Sequence, residues 1–173
     1  MSVKTKIVFR DAEYSIEHLA PSQFACPSIE MQRDLIIEAS FANHCYTRAF
    51  DGRLHKKEEI MLYESVDRPR VFCPDRYGLS HRLPQIVSSL PRHKVRQTYE
   101  GRNYVFSTVI DIAGAFYDVF FMLQKEHNGP ADLRLTVESA YVRKARLDTG
   151  GTVRFTILAH HTYIGKRVKF ARR

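Results

Sequence analysis

The stretch SFANHCYTRAF brings together side chains that can transfer protons, bind metals or contact anions. His44, Cys45, Tyr46 and Arg48 fall within five consecutive positions of it. Four interpretations are open: a metal site, a Cys–His nucleophile, an acid–base surface for nucleic-acid chemistry, or ordinary core. The elements that position these residues decide among them.

Residues 34–48 alternate apolar and polar side chains with period two, which predicts one long strand. Neighbouring side chains of a strand point to opposite faces, so His44 and Cys45 cannot form a local nucleophilic pair. Cys45 shares the apolar face, where we expect it to be a small core residue. His44 shares the mixed face with Tyr46 and Arg48, where proton transfer, base stacking and phosphate contact are all chemically available.

Metal and cofactor sites find little support in the sequence. Zinc sites commonly use close ligand pairs such as C-x-x-C, and none is present. The glycine-rich phosphate loops and the zinc-protease motif are also absent. Cys26, Cys45 and Cys73 are odd in number and widely spaced, which favours reduced thiols over disulfides. We therefore predict no metal and no cofactor.

Two further strands are predicted near the end of the chain, at residues 133–144 and 152–165, joined by the turn DTGG. If they pair as a hairpin, four polar side chains share one open face. These candidates are Arg134, Glu138, Arg154 and His160.

Such a group could cleave RNA without a metal. Glu138 or His44 would take the 2′-hydroxyl proton, His160 would protonate the leaving oxygen, and Arg154 would stabilise the phosphorane. The alternative is an exposed face whose ion pairs contribute about 0–1 kcal/mol each.

The other patterns predict an α+β fold in a single domain, residues 1–173. Residues 5–19 indicate two short strands with a turn near Asp11, and residues 20–32 a loop. An apolar stripe predicts one main helix at about residues 80–90, which Ser80 can cap, packed on an antiparallel meander. The meander begins with a hairpin of residues 93–99 and 103–111, and its central strand is FYDVFFMLQKE.

Positive charge is concentrated in the last quarter of the chain. The net charge is +8, and residues 130–173 alone hold ten Lys or Arg against three acids. Such a local field attracts nucleic acid or another polyanion, although a solvated face is the alternative. The basic tail, residues 165–173, could extend the last strand. The predicted nucleic-acid contacts are Tyr46, Arg48, Arg76, Arg134, Lys166, Arg167, Lys169, Arg172 and Arg173.

No apolar run approaches the roughly 20 residues of a membrane helix, and the first residues lack the apolar stretch of a secretory signal. We expect a cytoplasmic protein with no membrane partner. The oligomeric state does not follow from the sequence.

FANHCYTRAF, RYGLSHRLP and LRLTVESAYVR together resemble a group of uncharacterised bacterial proteins often found in phages and mobile elements. A helix followed by a meander with a late SAY strand is also similar to small RNase toxins of the RelE and barnase–colicin type. That second resemblance implies roles for Arg76, Ser80, Ser139 and Tyr141 beside His44. The strand pattern, however, assigns Ser139 and Tyr141 to the apolar face.

Three hypotheses for function result. The first is a protein that binds RNA or DNA, with its basic C-terminal quarter as the contact surface. The second is a metal-independent endoribonuclease of a toxin or defence type. The third is a protein-interaction module with no nucleic-acid role.

Overall fold

The computed structural model describes residues 5–98, 103–109, 114–145 and 151–170. The strands are β1 (Lys6–Phe9), β2 (Ala12–Ser15), β3 (Ser22–Ser28), β4 (Arg33–His44), β5 (Thr47–Ala49), β6 (Ile60–Tyr63), β7 (Pro69–Phe72), β8 (Lys94–Gln97), β9 (Tyr104–Val109), β10 (Phe116–Lys125), β11 (Leu133–Arg143) and β12 (Thr152–Arg154). The α-helices are α1 (Pro74–Ser80), α2 (Leu83–Ser89) and α3 (Phe155–Tyr163), and short 3-10 helices span Glu17–Leu19, Lys57–Glu59 and Leu90–Arg92. Within these residues, no helix has the length and apolar character needed to cross a membrane.

A seven-stranded sheet dominates the fold, with the strand order β12-β8-β9-β10-β11-β4-β3. Its neighbours are antiparallel except for β11 and β4, which run parallel. The predicted hairpin of β8 and β9, the meander β9-β10-β11 and the central position of β10 are confirmed. Smaller sheets, β1-β2 and β5-β7-β6, complete the α+β architecture that the sequence predicted.

One face of the large sheet forms the core against α2 and α3. Alternate residues of β4, β10 and β11 are fully buried there, among them Leu35, Phe121 and Leu133. We call the opposite face the open face. Its central residues are partly exposed, except for the fully buried Asp118 on β10. The others are Ser40 and His44 on β4, Thr136, Glu138, Ser139 and Tyr141 on β11, and Phe120 and Met122 on β10.

The N-terminal hairpin β1-β2 confirms the predicted turn. Arg10 and Asp11 both have positive φ, at 49° and 63°, as a two-residue hairpin turn requires. Ile7 and Phe9 pack with Phe72 in a second, smaller apolar cluster.

Two strand boundaries differ from the prediction. Residues 20–32 were expected to be a loop, but β3 occupies most of them at the edge of the sheet, where Pro27 is tolerated. The long strand predicted for residues 34–48 ends at His44. A turn then follows, in which the Cys45 amide donates to Ala42 O at 3.1 Å.

The last predicted strand, residues 152–165, is wrong over most of its length. Only β12 is extended, and it pairs with β8 rather than with β11. From Phe155 the chain is helical, because Phe155, Leu158 and Ala159 form an i, i+3, i+4 stripe that is fully buried.

The main helix is also divided in two. The apolar stripe predicted for residues 80–90 is α2, with Leu83 and Val87 buried. Ser80 does not cap it. Ser80 ends the preceding helix α1, and its hydroxyl donates to the Tyr77 carbonyl at 2.7 Å.

Candidate functional site on the open face

A β-bulge interrupts β11 at Glu138. On β10, Phe121 lies opposite Val137 and the adjacent Phe120 lies opposite Ser139, so Glu138 is an extra residue without a partner of its own. Bulges bend a strand and change the direction of its side chains, and they are over-represented next to active sites.

The bulge moves Ser139 and Tyr141 to the open face. One extra residue shifts every later side chain to the other side of the sheet, so Ala140 is buried in the core in their place. The prediction that Ser139 and Tyr141 belong to the apolar face is therefore wrong. Ser139 lies directly opposite His44 of β4.

His44 is the last residue of β4, and its side chain is 36% exposed. Its Nε2 is hydrogen-bonded to a carboxylate oxygen of Glu64, which follows β6. The same Glu64 oxygen lies 3.4 Å from Nε of Arg70. A carboxylate therefore orients the imidazole while part of the ring stays open to solvent.

Arg70 is a buried cation, only 8% exposed. It donates to the Thr47 hydroxyl at 2.8 Å and to the Thr47 carbonyl at 3.1 Å. Burial lowers the pKa of its guanidinium, an effect that the neighbouring Glu64 carboxylate opposes. Arg70 thus anchors Glu64 beside His44.

Arg76 joins α1 to this end of the sheet. Its Nη1 donates to the carbonyls of His44 at 3.1 Å and Thr47 at 2.9 Å, which holds the turn between β4 and β5. Its guanidinium lies over the Tyr141 ring, 5.3 Å from the centroid. Phe120 stacks on Tyr141, with the ring centroids 5.2 Å apart and the planes 18° apart.

We call this group the bulge site. It consists of His44, Glu64, Arg70, Arg76, Phe120, Ser139 and Tyr141. It combines a carboxylate-oriented imidazole, two guanidinium groups, two hydroxyls and a stacked aromatic pair. These groups can bind an anion, stack on a planar ring and move a proton.

Asp118 lies beside the site, opposite Tyr141 on β10. It is fully buried, and neither of its carboxylate oxygens has a hydrogen-bond partner among the described residues. Burial raises the pKa of this carboxyl, and two groups counteract part of that rise: the Ser107 hydroxyl opposite it on β9, and the Arg143 guanidinium, 3.9 Å away.

The other predicted catalytic residues do not join the bulge site. Glu138 is on the open face, but its carboxylate accepts a hydrogen bond from Asn103. Arg154 is on β12, which three other strands separate from β11. His160 is on α3, where its Nδ1 lies 3.0 Å from the Ser28 hydroxyl. The expectation that Arg154 and His160 share a hairpin face with Arg134 and Glu138 is therefore wrong.

Of the predicted nucleic-acid contacts that the structure describes, only Arg76 belongs to the bulge site. Arg134 forms an ion pair with Glu126. Tyr46 is half-buried in the turn after β4, and burial raises the pKa of its hydroxyl. Arg48 contacts the His55 ring, with Nη2 2.7 Å from Nε2.

The basic tail is not a strand over its described residues, 165–170. Val168 and Phe170 pack against the core, and the Phe170 ring lies 6.0 Å from that of Tyr104. The cations of this segment, Lys166, Arg167 and Lys169, are exposed. Arg172 and Arg173 lie outside the described residues, as do the EGR loop and most of the DTGG turn.

Four residues of this region were not among the sequence candidates. Nothing local in the sequence indicates that Glu64 contacts His44 or that Arg70 contacts Glu64. Phe120 and Asp118 lie in FYDVFF, where one carboxylate in an apolar central strand was a detectable signal.

In the described ranges, no three His, Cys, Asp or Glu side chains are grouped so that they could hold a metal ion.

The model of the YjaZ family matches residues 6–163 of this sequence. The chain belongs to the YjaZ family. The YjaZ match includes every residue of the bulge site and stops before the basic tail. No curated protein and no solved structure matches the chain.

Proposed function

We propose that this YjaZ-family protein binds single-stranded nucleic acid, RNA in particular, at the open face around the bulge site. The observation that carries the proposal is the Arg76–Tyr141–Phe120 arrangement, whose partly exposed side chains lie on the face of the sheet opposite the core. Proteins that bind single strands place aromatic rings on such surfaces for base stacking, with cations beside them for the phosphates.

Charge supports this assignment. The protein carries a net charge of +8, and Arg76 lies at the bulge site itself. Arg96 pairs with Val105, which pairs with Phe120, so Arg96 is on the same face as Phe120. No carboxylate pairs with Arg96 in the part of the chain that the structure describes. Cations of this kind can neutralise phosphates at several points along a bound strand.

RNA is the favoured ligand because hydroxyl and imidazole groups stand next to the aromatic pair. Ser139 and His44 can each hydrogen-bond a ribose 2′-hydroxyl, the group that distinguishes RNA from DNA. The cytoplasm is the compartment we propose, since the three free cysteines suit a reducing environment. A place in a phage or mobile element remains part of the same proposal.

A second candidate function is metal-independent RNA cleavage at the same site, and the His44–Glu64 pair favours it. A carboxylate that holds one imidazole nitrogen orients the ring so that the other can take a proton. His44 would remove the 2′-hydroxyl proton, and the 2′-oxygen would attack the adjacent phosphorus. The P–O5′ bond would break to leave a 2′,3′-cyclic phosphate. Arg76 would stabilise the phosphorane, and the Tyr141 hydroxyl would protonate the leaving 5′-oxygen.

One experiment separates these functions. Labelled single-stranded RNA, single-stranded DNA and duplex RNA are incubated with the protein, with and without EDTA, and both retention and cleavage are scored. Arg76→Gln should weaken retention, whereas Arg53→Gln, which removes a charge from a fully exposed turn, should not.

Each outcome has a defined meaning. Retention of RNA without cleavage supports binding alone. EDTA-resistant cleavage that His44→Asn abolishes supports the second function. If no nucleic acid is retained or cleaved, the nucleic-acid proposal fails and a protein partner becomes the explanation of the open face.

A further inference from the structure

A groove of about 700 Å³ lies away from the bulge site, where both edges of the large sheet contribute to one surface. Its lining comes from the end of β3, from the segment before β8, and from the junction of β12 with α3. The volume falls within the range of about 300–1,000 Å³ that is typical of small-molecule sites.

The groove is lined by cations without partners. Arg92, Lys94 and Arg154 line it and are exposed, and none of them has an ion pair within the described residues. His93 adds an imidazole. Glu30 is the single carboxylate in the lining, so the groove has an excess of positive charge.

Two of these cations face each other directly. Lys94 on β8 and Arg154 on β12 are register partners in the antiparallel pair. Like charges directly opposite each other destabilise a sheet. A bound anion between the two side chains would offset this repulsion.

The first turn of α3 forms part of the groove wall. The helix has nine residues and no side-chain cap. The Phe155 amide donates a hydrogen bond to the His93 carbonyl at 3.0 Å. The next residues, Thr156 and Ile157, line the groove. Their amides belong to the first turn, where a helix supplies no acceptors and its dipole favours an anion.

Apolar side chains form the remaining walls. Ile29 is 88% exposed and Ile157 is 41% exposed, and Pro27 and Pro91 lie with them. A ligand that fits has a phosphate for the cations and a planar or apolar body for these walls. We infer that the groove binds a phosphate-bearing small molecule of nucleoside monophosphate size, in which the phosphate contacts Lys94, Arg154 and the start of α3.

This site does not depend on nucleic-acid binding at the open face. The test measures the thermal unfolding midpoint of the full chain with inorganic phosphate, with adenosine monophosphate, and with sodium chloride at matched ionic strength. A ligand that binds only the folded state raises the midpoint, and the rise grows with the logarithm of its concentration once that concentration exceeds Kd.

Both phosphates should raise the midpoint above the chloride control, adenosine monophosphate at lower concentration. Lys94→Gln and Arg154→Gln should each weaken the apparent affinity by about tenfold or more, the usual effect of losing a charge-assisted hydrogen bond. Lys57→Gln, which removes an exposed cation from a separate 3-10 helix, should retain the affinity of the unmodified chain.

A phosphate effect no larger than that of chloride would overturn the inference. So would equal stabilisation of the unmodified chain and the Lys94→Gln variant. Binding of inorganic phosphate with no gain for adenosine monophosphate would overturn the role given to the apolar walls.

Discussion

The guanidinium of Arg76 lies over the ring of Tyr141, 5.3 Å from its centroid. The contact joins the first turn of α1 to the open face of the sheet just beyond the bulge in β11. A cation at such a distance stabilises the ring by about 0.5–2 kcal/mol, depending on its exposure to water. It also leaves a positive charge beside an aromatic surface, the arrangement on which the proposed function depends.

Stability should decrease in acid through the histidines beside α1. The His18 ring stacks on the His81 ring, with centroids 3.7 Å apart, and its Nε2 lies 2.7 Å from the Ser80 hydroxyl. Burial lowers the pKa of His18, and the charge of His81 lowers it further. The unfolded chain therefore binds this proton more readily, so the stability is present above pH about 6.5 and is lost as the pH falls through the folded-state pKa.

Denaturant unfolding between about pH 7.5 and about pH 5 would measure this effect. His18→Gln should reduce the pH dependence, while His127→Gln, on an exposed turn, should leave it unchanged. Equal pH dependence in the His18→Gln variant and the unmodified chain would contradict the account.

Cys45 should be inert to thiol reagents in the folded protein. It is fully buried, its Sγ lies 3.8 Å from the Val137 carbonyl, and burial raises the pKa of the thiol to about 12. Alkylation followed by mass spectrometry should show modification only after unfolding. Cys45→Ser should lower the free energy of unfolding by roughly 1–3 kcal/mol, because it buries a hydroxyl in an apolar site. Rapid alkylation of Cys45 in the native protein would refute its place in the core.

The bulge and α3 show where the sequence was informative and where it was not. Period-two patterns located β4 and β11, because each has one face in the core. The apolar run FYDVFFMLQKE located β10, and the two segments that flank EGR located β8 and β9. For residues 152–165 the strand prediction was wrong over most of the segment. Phe155 and Ile157 fit the alternation of a strand, but the i, i+3, i+4 spacing of Phe155, Leu158 and Ala159 fits the helix that forms. The bulge at Glu138 was not predictable, because the alternation is regular on both sides of it and only the pairing with β10 reveals the extra residue.

Part of the bulge site was among the sequence candidates. His44 was selected for the chemistry of its side chain and Arg76 through the resemblance to RNase toxins, and both lie in the site. Glu64 contacts His44 from 20 positions away and Arg70 contacts Glu64, and the pattern of a single sequence does not specify such ion pairs. The resemblance to RNase toxins selected Ser139 and Tyr141 although the strand pattern placed them in the core.

Asp118 should lower stability at neutral pH. It is fully buried without a hydrogen-bond partner in the described residues, and burial raises the pKa of its carboxyl. A raised folded-state pKa means that its stabilising contribution is present below the unfolded value and is lost as the pH rises. Asp118→Asn should therefore raise the free energy of unfolding near pH 7 by about 1 kcal/mol. A loss of stability would show instead that the ion pair with Arg143 outweighs the cost of burial.

The basic tail should contribute charge and packing through different residues. Replacing Lys166, Arg167 and Lys169 with Gln removes three exposed charges and spares the packed Phe170. If each contacts one phosphate, the slope of log K against log salt should decrease by roughly 2–3 units. Phe170→Ala should instead lower stability, by roughly 1–2 kcal/mol for a half-buried ring.

The matched control for the tail replaces Arg53, Lys56 and Lys57 with Gln, which removes the same charge from a distant exposed segment. If the two triple variants have the same slope as the unmodified chain, the tail does not contact nucleic acid.

Binding of a labelled single-stranded RNA, followed by fluorescence anisotropy, tests the central claim most directly when Tyr141→Leu is compared with Tyr163→Leu. Tyr163 on α3 is the matched control, because its ring also lies near a cation, with the Arg33 guanidinium 5.4 Å from its centroid, but it is not on the open face. A stacked base contributes about 1–3 kcal/mol, so Tyr141→Leu should weaken binding by about fivefold to a hundredfold while Tyr163→Leu has little effect. Equal affinities for the Tyr141→Leu variant and the unmodified chain would contradict a nucleic-acid surface at the bulge site.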